Sequence, residues 1–342
     1  MVMTMQGLFS LQAKLRWRPK LCCVFCVRDG LTSSPTKDRS VTTQTNIARE
    51  LLLLACLSAL WASSYTFIKI GVETIPPLTL IAARTLIAGL LLLTIMRLRG
   101  LRLPTDTATW RLFLVQACIN SVLPFTLIAW AEQHIDAGLA VILNATTPIF
   151  TFLLTAFVVR HELVSGRKLF GTIAGMTGVC LIIGLEALNG TGELLWGQLA
   201  ILAAAFSYAC AAIFGKNFRG LNPIMPAAGS LICGAIILLP VSVVVDRPWT
   251  LSPSNASIAA LLCLSVFSTA LAFMIYFRLM QTLGSVGTTS QAYLRVPVGV
   301  GIGMLFLGEV PTPAMWIGLV CVIIGVLAMT LPQRRRAAAQ SG

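Results

Sequence analysis

The sequence predicts an all-α membrane protein with ten transmembrane helices, arranged as two inverted five-helix repeats. Hydrophobic residues make up 57% of the chain and charged residues only 11%, whereas an ordinary soluble domain carries about 25% charged residues. From Leu51 onward, apolar segments of about 20 residues recur, each long enough to cross a hydrocarbon layer of about 30 Å. The chain is also similar to itself at a spacing of 147 residues.

The apolar segments are separated by short breaks with turn residues such as Pro76-Pro77 and Asn189-Gly190. They lie near residues 51–72, 77–97, 111–132, 137–158, 168–186, 196–215, 222–245, 256–277, 284–307 and 313–331. Lys and Arg in short loops are retained on the cytoplasmic side of a membrane. With the N-terminus inside, thirteen basic residues of the loops and C-terminal tail are cytoplasmic and only Arg247 is external. Both termini are therefore predicted to be cytoplasmic.

The formal net charge of +13 would favour a nucleic-acid partner in a soluble domain. Here the basic residues lie between apolar segments, so we expect the lipid bilayer as a partner and no nucleic acid. Residues 1–48 form a basic leader whose apolar patch, 21–27, is too short to span a membrane or act as a signal peptide. We expect this leader to be disordered in the cytoplasm, or to precede the true start of the protein, which N-terminal sequencing would decide. Residues 332–342 are a basic cytoplasmic tail.

Metal, cofactor and enzyme chemistry find little support in the sequence. Most of the ten cysteines lie in apolar segments, where a thiol packs as a small hydrophobic group. Cys22-Cys23-Val-Phe-Cys26 contains one Cys-x-x-Cys spacing but no second pair and no nearby histidine. His134 and His161 fall in loops on opposite predicted sides, and no phosphate-binding P-loop of an ATP-driven pump occurs. We therefore expect no metal, no cofactor and no enzymatic activity.

The internal repeat predicts how the halves are related. A shift of 147 residues superposes Trp61 on Tyr208, Lys69 on Lys216, Glu162 on Glu309, Gly171 on Gly318 and Gly178 on Gly325. Each half holds five segments, an odd number, so the second half enters the membrane upside down relative to the first. Inverted repeats are an architecture of secondary transporters, which bind their substrate near the midplane between the halves.

Two matched motifs resemble the EamA domains of the drug/metabolite transporter superfamily. Arg160-His161-Glu162-Leu163 and Gly308-Glu309-Val310 are each followed by a Gly-rich helix, and Trp61-Ala-Ser-Ser and Tyr208-Ala-Cys-Ala lie at matching positions earlier in each half. His161 stands where the family usually has Gly. The resemblance implies a ten-helix exporter or exchanger of amino acids, related metabolites or drugs in a plasma membrane.

The resemblance covers approximately residues 50–332, almost the whole chain beyond the leader. The first EamA repeat is expected at 49–188 and the second at 196–331. Alternating access between the two repeats would move the small-molecule substrate, and a homodimer is left open as the assembly.

Arg295 is the first candidate for a substrate-binding residue, because it lies about halfway along the ninth segment. Ionisable groups inside a bilayer are costly and usually face a cavity or a partner. A guanidinium group can donate two parallel hydrogen bonds to a carboxylate or phosphate, although neighbouring polar groups could satisfy Arg295 without a substrate. Arg84 is a second candidate, which could instead reach outward or pair with Glu73 or Glu132.

Polar and aromatic residues at similar depth complete the predicted site. Its further members are Asn120, Asn144 and Gln291, together with Trp61 and Tyr293. Pro148 and Pro297 are predicted hinges, because proline interrupts helical hydrogen bonding. Glu162 and Glu309, at helix ends, are predicted gates. Simple packing is the alternative for the prolines and aromatic residues.

We therefore expect a plasma (inner) membrane transporter that exports or exchanges a small polar metabolite, such as an amino acid, with an anionic group. No Asp or Glu is convincingly central in a segment, which leaves proton coupling open beside exchange or facilitated export. One alternative is export of drugs or lipophilic cations, which would call for a deep carboxylate or an aromatic cavity. Another is an intramembrane enzyme, which would need a deep acid/base pair or a metal cluster.

Overall fold

The computed structural model describes residues 47–135, 137–159, 165–183, 193–302 and 313–331. Regular structure in these residues is helical throughout. The α-helices are α1 Ile47–Val72, α2 Pro77–Leu98, α3 Thr107–Ala117, α4 Leu123–Ala131, α5 Ala137–Asn144, α6 Thr147–Leu153, α7 Gly166–Ile183, α8 Glu193–Phe214, α9 Ile224–Val245, α10 Asn255–Ser265, α11 Ala272–Thr282, α12 Gly284–Thr289, α13 Gln291–Ile302 and α14 Pro313–Thr330. The predicted tail, the predicted gates Glu162 and Glu309, and all but the last two residues of the leader lie outside the described residues.

Six helical stretches of the described residues are long and apolar enough to cross a membrane. They are Ile47–Val72, Pro77–Leu98, Thr107–Ala131, Leu195–Phe218, Ile224–Val245 and Asn255–Thr282. Thr147–Ala156 and Trp316–Thr330 are shorter apolar helices. Large apolar side chains such as Ile173, Ile236 and Val244 are exposed on the outside of the bundle, as expected of a surface that faces lipid. The chain is thus a multi-pass membrane protein.

The fourth and ninth predicted segments, 137–158 and 284–307, are not continuous helices. α5 ends at Asn144 and α6 begins at Thr147, so Pro148 lies in the first turn of a new helix, where its missing N–H leaves no hydrogen bond unmade. α12 and α13 are separated at Ser290, whereas Pro297 lies inside α13. Pro297, a predicted hinge, thus lies within a helix, several residues after the break at Ser290.

The third and eighth segments each contain a π-helical stretch. These stretches are Cys118–Val122 and Val266–Leu271, which begin 148 residues apart and so occupy equivalent places in the two halves. A π turn inserts an extra residue, and such turns are frequent at functional sites. Their recurrence at one place in each half makes this irregularity a property of the repeat.

The first helix of each half contacts the π-helical stretch of the other half. The hydroxyl of Ser207 on α8 donates to the Ile119 carbonyl oxygen at 2.7 Å. The indole N–H of Trp61 on α1 donates to the Ser268 carbonyl oxygen at 3.1 Å. The two halves are therefore interlocked through their first helices.

The last helices of the halves, α7 and α14, approach each other through glycine. A Cβ atom on Gly171 would lie 2.7 Å from the carbonyl oxygen of Gly325, and one on Gly178 would lie 2.5 Å from that of Gly318. Gly171 is the repeat mate of Gly318, and Gly178 that of Gly325, so the contact is self-complementary, as around a two-fold axis. The start of α7 meets the end of α14, which makes the two helices antiparallel.

The second helices of the halves, α2 and α9, also pair in antiparallel fashion. Near the start of α2, the backbone N–H and the hydroxyl of Thr79 both donate to Asp246 Oδ2, each at 2.8 Å, just beyond the end of α9. Further along α2, Gly89 faces Ile232 in the first half of α9. Each of these two pairs of equivalent helices, α7 with α14 and α2 with α9, thus joins the first half to the second.

Substitution Gly178→Ala should destabilise the fold by about 1–3 kcal/mol, because the added methyl group meets backbone atoms that cannot turn aside. Gly166→Ala at the start of α7 is the matched control, since nothing lies within 4 Å of a Cβ there. Both changes raise helix propensity, so the difference between their melting temperatures in detergent isolates the collision. Equal melting temperatures would contradict this account of the α7–α14 contact.

Candidate functional site

A cavity lies between the two halves and is lined by polar and aromatic side chains from both. The first half supplies residues from α1, α2, the Cys118–Val122 stretch and α4 to α6, and the second half from α8 and α11 to α13. The lining residues are Trp61, Ser64, Tyr65, Ile68, Arg84, Asn120, Phe125, Ile128, Asn144, Thr147, Tyr208, Tyr276, Thr289, Gln291 and Arg295.

Arg295 on α13 is held by acceptors from three helices. Its Nε donates to Gln291 Oε1, one turn earlier in α13, at 2.9 Å. Its Nη1 donates to the Tyr65 hydroxyl on α1 and to Asn144 Oδ1 on α5, each at 3.0 Å. The side chain is buried, and Nη2 has no hydrogen-bond partner among the described residues. One face of the guanidinium group is thus fixed by protein while one terminal nitrogen remains available.

Aromatic rings flank the same guanidinium group. Its central carbon lies 5.1 Å from the ring centre of Trp61 and 5.9 Å from that of Tyr65, within the range of cation–π attraction. Trp61 also packs against Tyr276, with ring centres 5.4 Å apart. These rings orient Arg295 without using its remaining hydrogen-bond donors.

Arg84 on α2 is the second buried guanidinium group of the cavity. Its Nε donates to the Thr269 hydroxyl at 2.6 Å, and its central carbon lies 3.8 Å above the Phe125 ring. The Thr269 hydroxyl in turn donates to the Leu264 carbonyl oxygen, five residues earlier, a spacing that the π-helical stretch creates. The Arg84 side chain is buried, so it does not reach outward, and it forms no salt bridge with Glu132. Both terminal nitrogens of Arg84 lack a hydrogen-bond partner in the described part of the chain.

The cavity wall is rich in hydrogen-bond donors. Besides the open nitrogens of Arg84 and Arg295, the side-chain amide nitrogens of Asn120 and Asn144 are buried without a partner. Among the described lining residues there are two arginines and no carboxylate. Buried donors require acceptors, so the wall favours a ligand with negatively charged or otherwise electron-rich oxygen atoms.

Six of the seven predicted substrate-binding residues line the cavity: Trp61, Arg84, Asn120, Asn144, Gln291 and Arg295. Tyr293 does not. It is fully buried, its hydroxyl donates to the Thr172 carbonyl oxygen at 3.0 Å, and its ring lies against Gly175. Tyr293 therefore connects α13 to α7.

Sequence reasoning missed several lining residues, of which Tyr65 and Phe125 matter most. Tyr65 follows Trp61 by four residues, a spacing that places both side chains on one face of a helix, so this signal was present. Phe125 carries no such signal, because its role depends on Arg84 lying over its ring.

Comparison with known proteins agrees with the motifs. Residues 49–184 and 195–331 each match the model of the EamA-like transporter family. The uncharacterized inner membrane transporter YedA of Escherichia coli (strain K12) is 28% identical over 280 residues, which cover 81% of this chain and 89% of YedA. The uncharacterized transporter YoaV of Bacillus subtilis (strain 168) is 25% identical over 85% of this chain and 99% of its own.

Two further matches bear on cargo and fold. A probable terminal-alkyne amino-acid exporter of Streptantibioticus cattleyicolor is 26% identical over 282 residues, covering 81% of this chain and 93% of that protein. A crystal structure with 17% sequence identity superposes with a TM-score of 0.66 and covers 83% of this chain and 98% of its own. At that identity the structural match supports the fold alone.

Substitution Thr269→Val should lower the free energy of unfolding by about 1–3 kcal/mol, because it leaves the buried Nε of Arg84 without its acceptor. Thr94→Val is the matched control, since the Thr94 hydroxyl bonds only the Leu90 carbonyl of its own helix. Thermal unfolding of both purified variants in detergent measures the difference. If Thr269→Val and Thr94→Val have the same melting temperature, the hydrogen bond to Arg84 does not stabilise the site.

Proposed function

Because the chain belongs to the EamA-like transporter family, we propose that it is a secondary transporter of small polar metabolites with a carboxylate or similar anionic group. The donor-rich cavity carries this proposal. Three terminal guanidinium nitrogens, on Arg84 and Arg295, have no partner among the described residues, and the described wall holds no carboxylate. Amino acids and their relatives are the leading class of cargo, which the named amino-acid exporter among the relatives supports.

The cargo carboxylate would lie beside Arg295. There Nη2 of Arg295 and Nδ2 of Asn144 can donate to its oxygens. Gln291, at the first turn of α13, places the positive end of that helix dipole near the same point. A lone arginine at the centre of a membrane costs about 2.5–3.5 kcal/mol. The acceptors on Gln291, Tyr65 and Asn144 offset part of that cost before any cargo binds.

Alternating access between two inverted repeats is the mechanism that this arrangement supports. The cavity lies between the halves, and the contacts of α7 with α14 and of α2 with α9 join equivalent helices in antiparallel order. In a membrane, antiparallel repeat mates require that one half be inverted relative to the other. Ten crossings with both termini in the cytoplasm, in a plasma (inner) membrane, follow from five segments per half and from the basic loops.

Export of lipophilic cations is the weaker alternative. The aromatic side chains Trp61, Tyr208 and Tyr276 could contact a cation, but two guanidinium groups in the same wall would repel it. A lipophilic cation would call for a carboxylate in the cavity, and the described lining residues include none.

Substitution Arg295→Ala should reduce cargo transport about 10- to 100-fold, because a charge-assisted hydrogen bond contributes about 1.5–3 kcal/mol. Proteoliposomes preloaded with each of the twenty amino acids and tested for counterflow of the labelled compound provide the measurement. Arg102→Ala is the control, since Arg102 is exposed outside the cavity. Unchanged counterflow in correctly folded Arg295→Ala would sink the proposed role of this residue.

Substitution Tyr65→Phe should raise the KM of counterflow about 3- to 10-fold, because Arg295 loses an acceptor worth about 1 kcal/mol that fixes its orientation. Tyr293→Phe is the matched control, since it removes the hydroxyl that bonds Thr172 outside the cavity. We expect Tyr293→Phe to lower the melting temperature and leave KM unchanged. The reverse pattern would mean that the two tyrosines have been assigned to the wrong roles.

A further inference from the structure

Glu132 is a buried carboxyl group that the cargo site does not use. It follows the last residue of α4, its side chain is 0% exposed, and neither carboxyl oxygen has a hydrogen-bond partner among the described residues. An ionised carboxylate in such a place is costly, because burial removes its water and no donor replaces it. A protonated carboxyl group is tolerated far better.

Two cations oppose that effect. Lys69 on α1 donates from Nζ to the carbonyl oxygens of Glu132 at 2.7 Å and Ile135 at 3.2 Å, and so binds the negative end of α4. Arg84 brings a second positive charge to this side of α4, because its guanidinium group lies over Phe125, about two turns before Glu132. Burial therefore favours the protonated form, while the two cations favour the ionised form. A group held between such opposed effects changes its protonation when one nearby charge changes.

Neighbouring helices bring other groups to the region of Glu132. The Tyr65 hydroxyl on α1 accepts a hydrogen bond from Arg295 Nη1 in the cavity. His134, two residues after Glu132, uses Nδ1 on the Trp130 carbonyl oxygen at 3.0 Å. From α8, Gly197 faces this turn and brings no charge.

We propose that Glu132 is the proton-binding site of this transporter, taking up a proton when cargo binds in the cavity and releasing it when cargo leaves. This inference rests on the proposed transport function. It requires no cofactor: the carboxylate accepts a proton from water on the side to which the cavity is open, one O–H bond forms, and the same proton returns to water on the other side.

Coupling follows from the position of Arg84, which lines the cavity and lies 3.8 Å over the ring of Phe125, about two turns before Glu132 on the same side of α4. A cargo carboxylate bound beside Arg295 brings a negative charge into the cavity that Arg84 also lines. That charge weakens the positive field that stabilises ionised Glu132, so cargo binding favours protonation. Reciprocity requires that protonation of Glu132 strengthen cargo binding by the same factor. Cargo and proton therefore bind together and cross in the same direction. For a cargo with one net negative charge, the loaded protein moves no net charge.

The test compares Glu132→Gln, a permanently neutral and nearly isosteric variant, with wild type. Glu73→Gln is the matched control, because Glu73 is exposed at the end of α1. Each variant is reconstituted and tested with the twenty labelled amino acids in two assays. Counterflow at equal pH measures exchange alone, and accumulation under an imposed pH gradient, acidic on the side of cargo entry, measures coupling.

We expect wild type and Glu73→Gln to accumulate label under the gradient and to bind cargo more weakly as pH rises, by about 5- to 150-fold. Glu132→Gln should keep counterflow, lose gradient-driven accumulation and bind cargo independently of pH. Glu132→Asp, which restores a carboxyl group, should recover accumulation. Gradient-driven accumulation by Glu132→Gln would overturn the proposal, and so would loss of counterflow in a Glu132→Gln protein that melts like wild type.

Infrared difference spectroscopy separates this inference from the proposed cargo class. If wild type shows no counterflow with any amino acid, the cargo class fails, and the spectrum of the cargo-free protein still tests Glu132. A carbonyl band of a protonated buried carboxyl group that disappears as pH rises, present in wild type and Glu73→Gln but absent in Glu132→Gln, supports the proton site. Absence of that band in wild type, or its persistence in Glu132→Gln, overturns it even where the variant proves unstable.

Discussion

The buried charge of Arg295 is the interaction on which the arrangement of the cavity depends. A guanidinium group in an apolar layer must be given acceptors, and here they come from Gln291 on α13, Tyr65 on α1 and Asn144 on α5. These hydrogen bonds tie two helices of the first half to one of the second. The halves cannot separate at this point without removing acceptors from a buried cation. A cargo carboxylate that supplied new acceptors would lower that barrier, which is how binding could permit movement.

Much of the irregular backbone lies around the same cavity. The breaks at 145–146 and at Ser290 and the π-helical stretches Cys118–Val122 and Val266–Leu271 supply or adjoin lining residues, whereas a third π-helical stretch, Leu154–Val159, supplies none of the described lining residues. Membrane helices tolerate such irregularity only where protein or a polar cavity satisfies the freed backbone groups. Here Ser207 and Trp61, each from the first helix of one half, satisfy carbonyls in the other half. The irregularity that shapes the site thus also joins the two halves.

The sequence predicted the composition of the site better than its contacts. Depth in an apolar segment was enough to find Arg295 and Arg84. It could not reveal the Tyr65 hydroxyl as an acceptor, since that depends on packing between helices 230 residues apart. Tyr293 does not line the cavity, and the sequence contained a reason: residues two apart on a helix point about 200° from one another, so Tyr293 and Arg295 lie on opposite sides of α13. The helix breaks at 145–146 and at Ser290 depend on local packing, which cannot be inferred from the positions of the prolines.

Glu132 shows why depth in a segment is a poor measure of electrostatic burial. It lies at the end of its segment, yet its side chain is fully buried and neither carboxyl oxygen has a hydrogen-bond partner among the described residues. The fixed cations of the site attract an anionic cargo, but the same attraction slows its release. Release becomes easier when a second anion interacts with those cations. A carboxyl group that ionises as the cargo leaves is such an anion. With a singly charged anion the two moving charges cancel, so the membrane potential would not act on the loaded step, and the gradients of cargo and proton together would set the direction of flux.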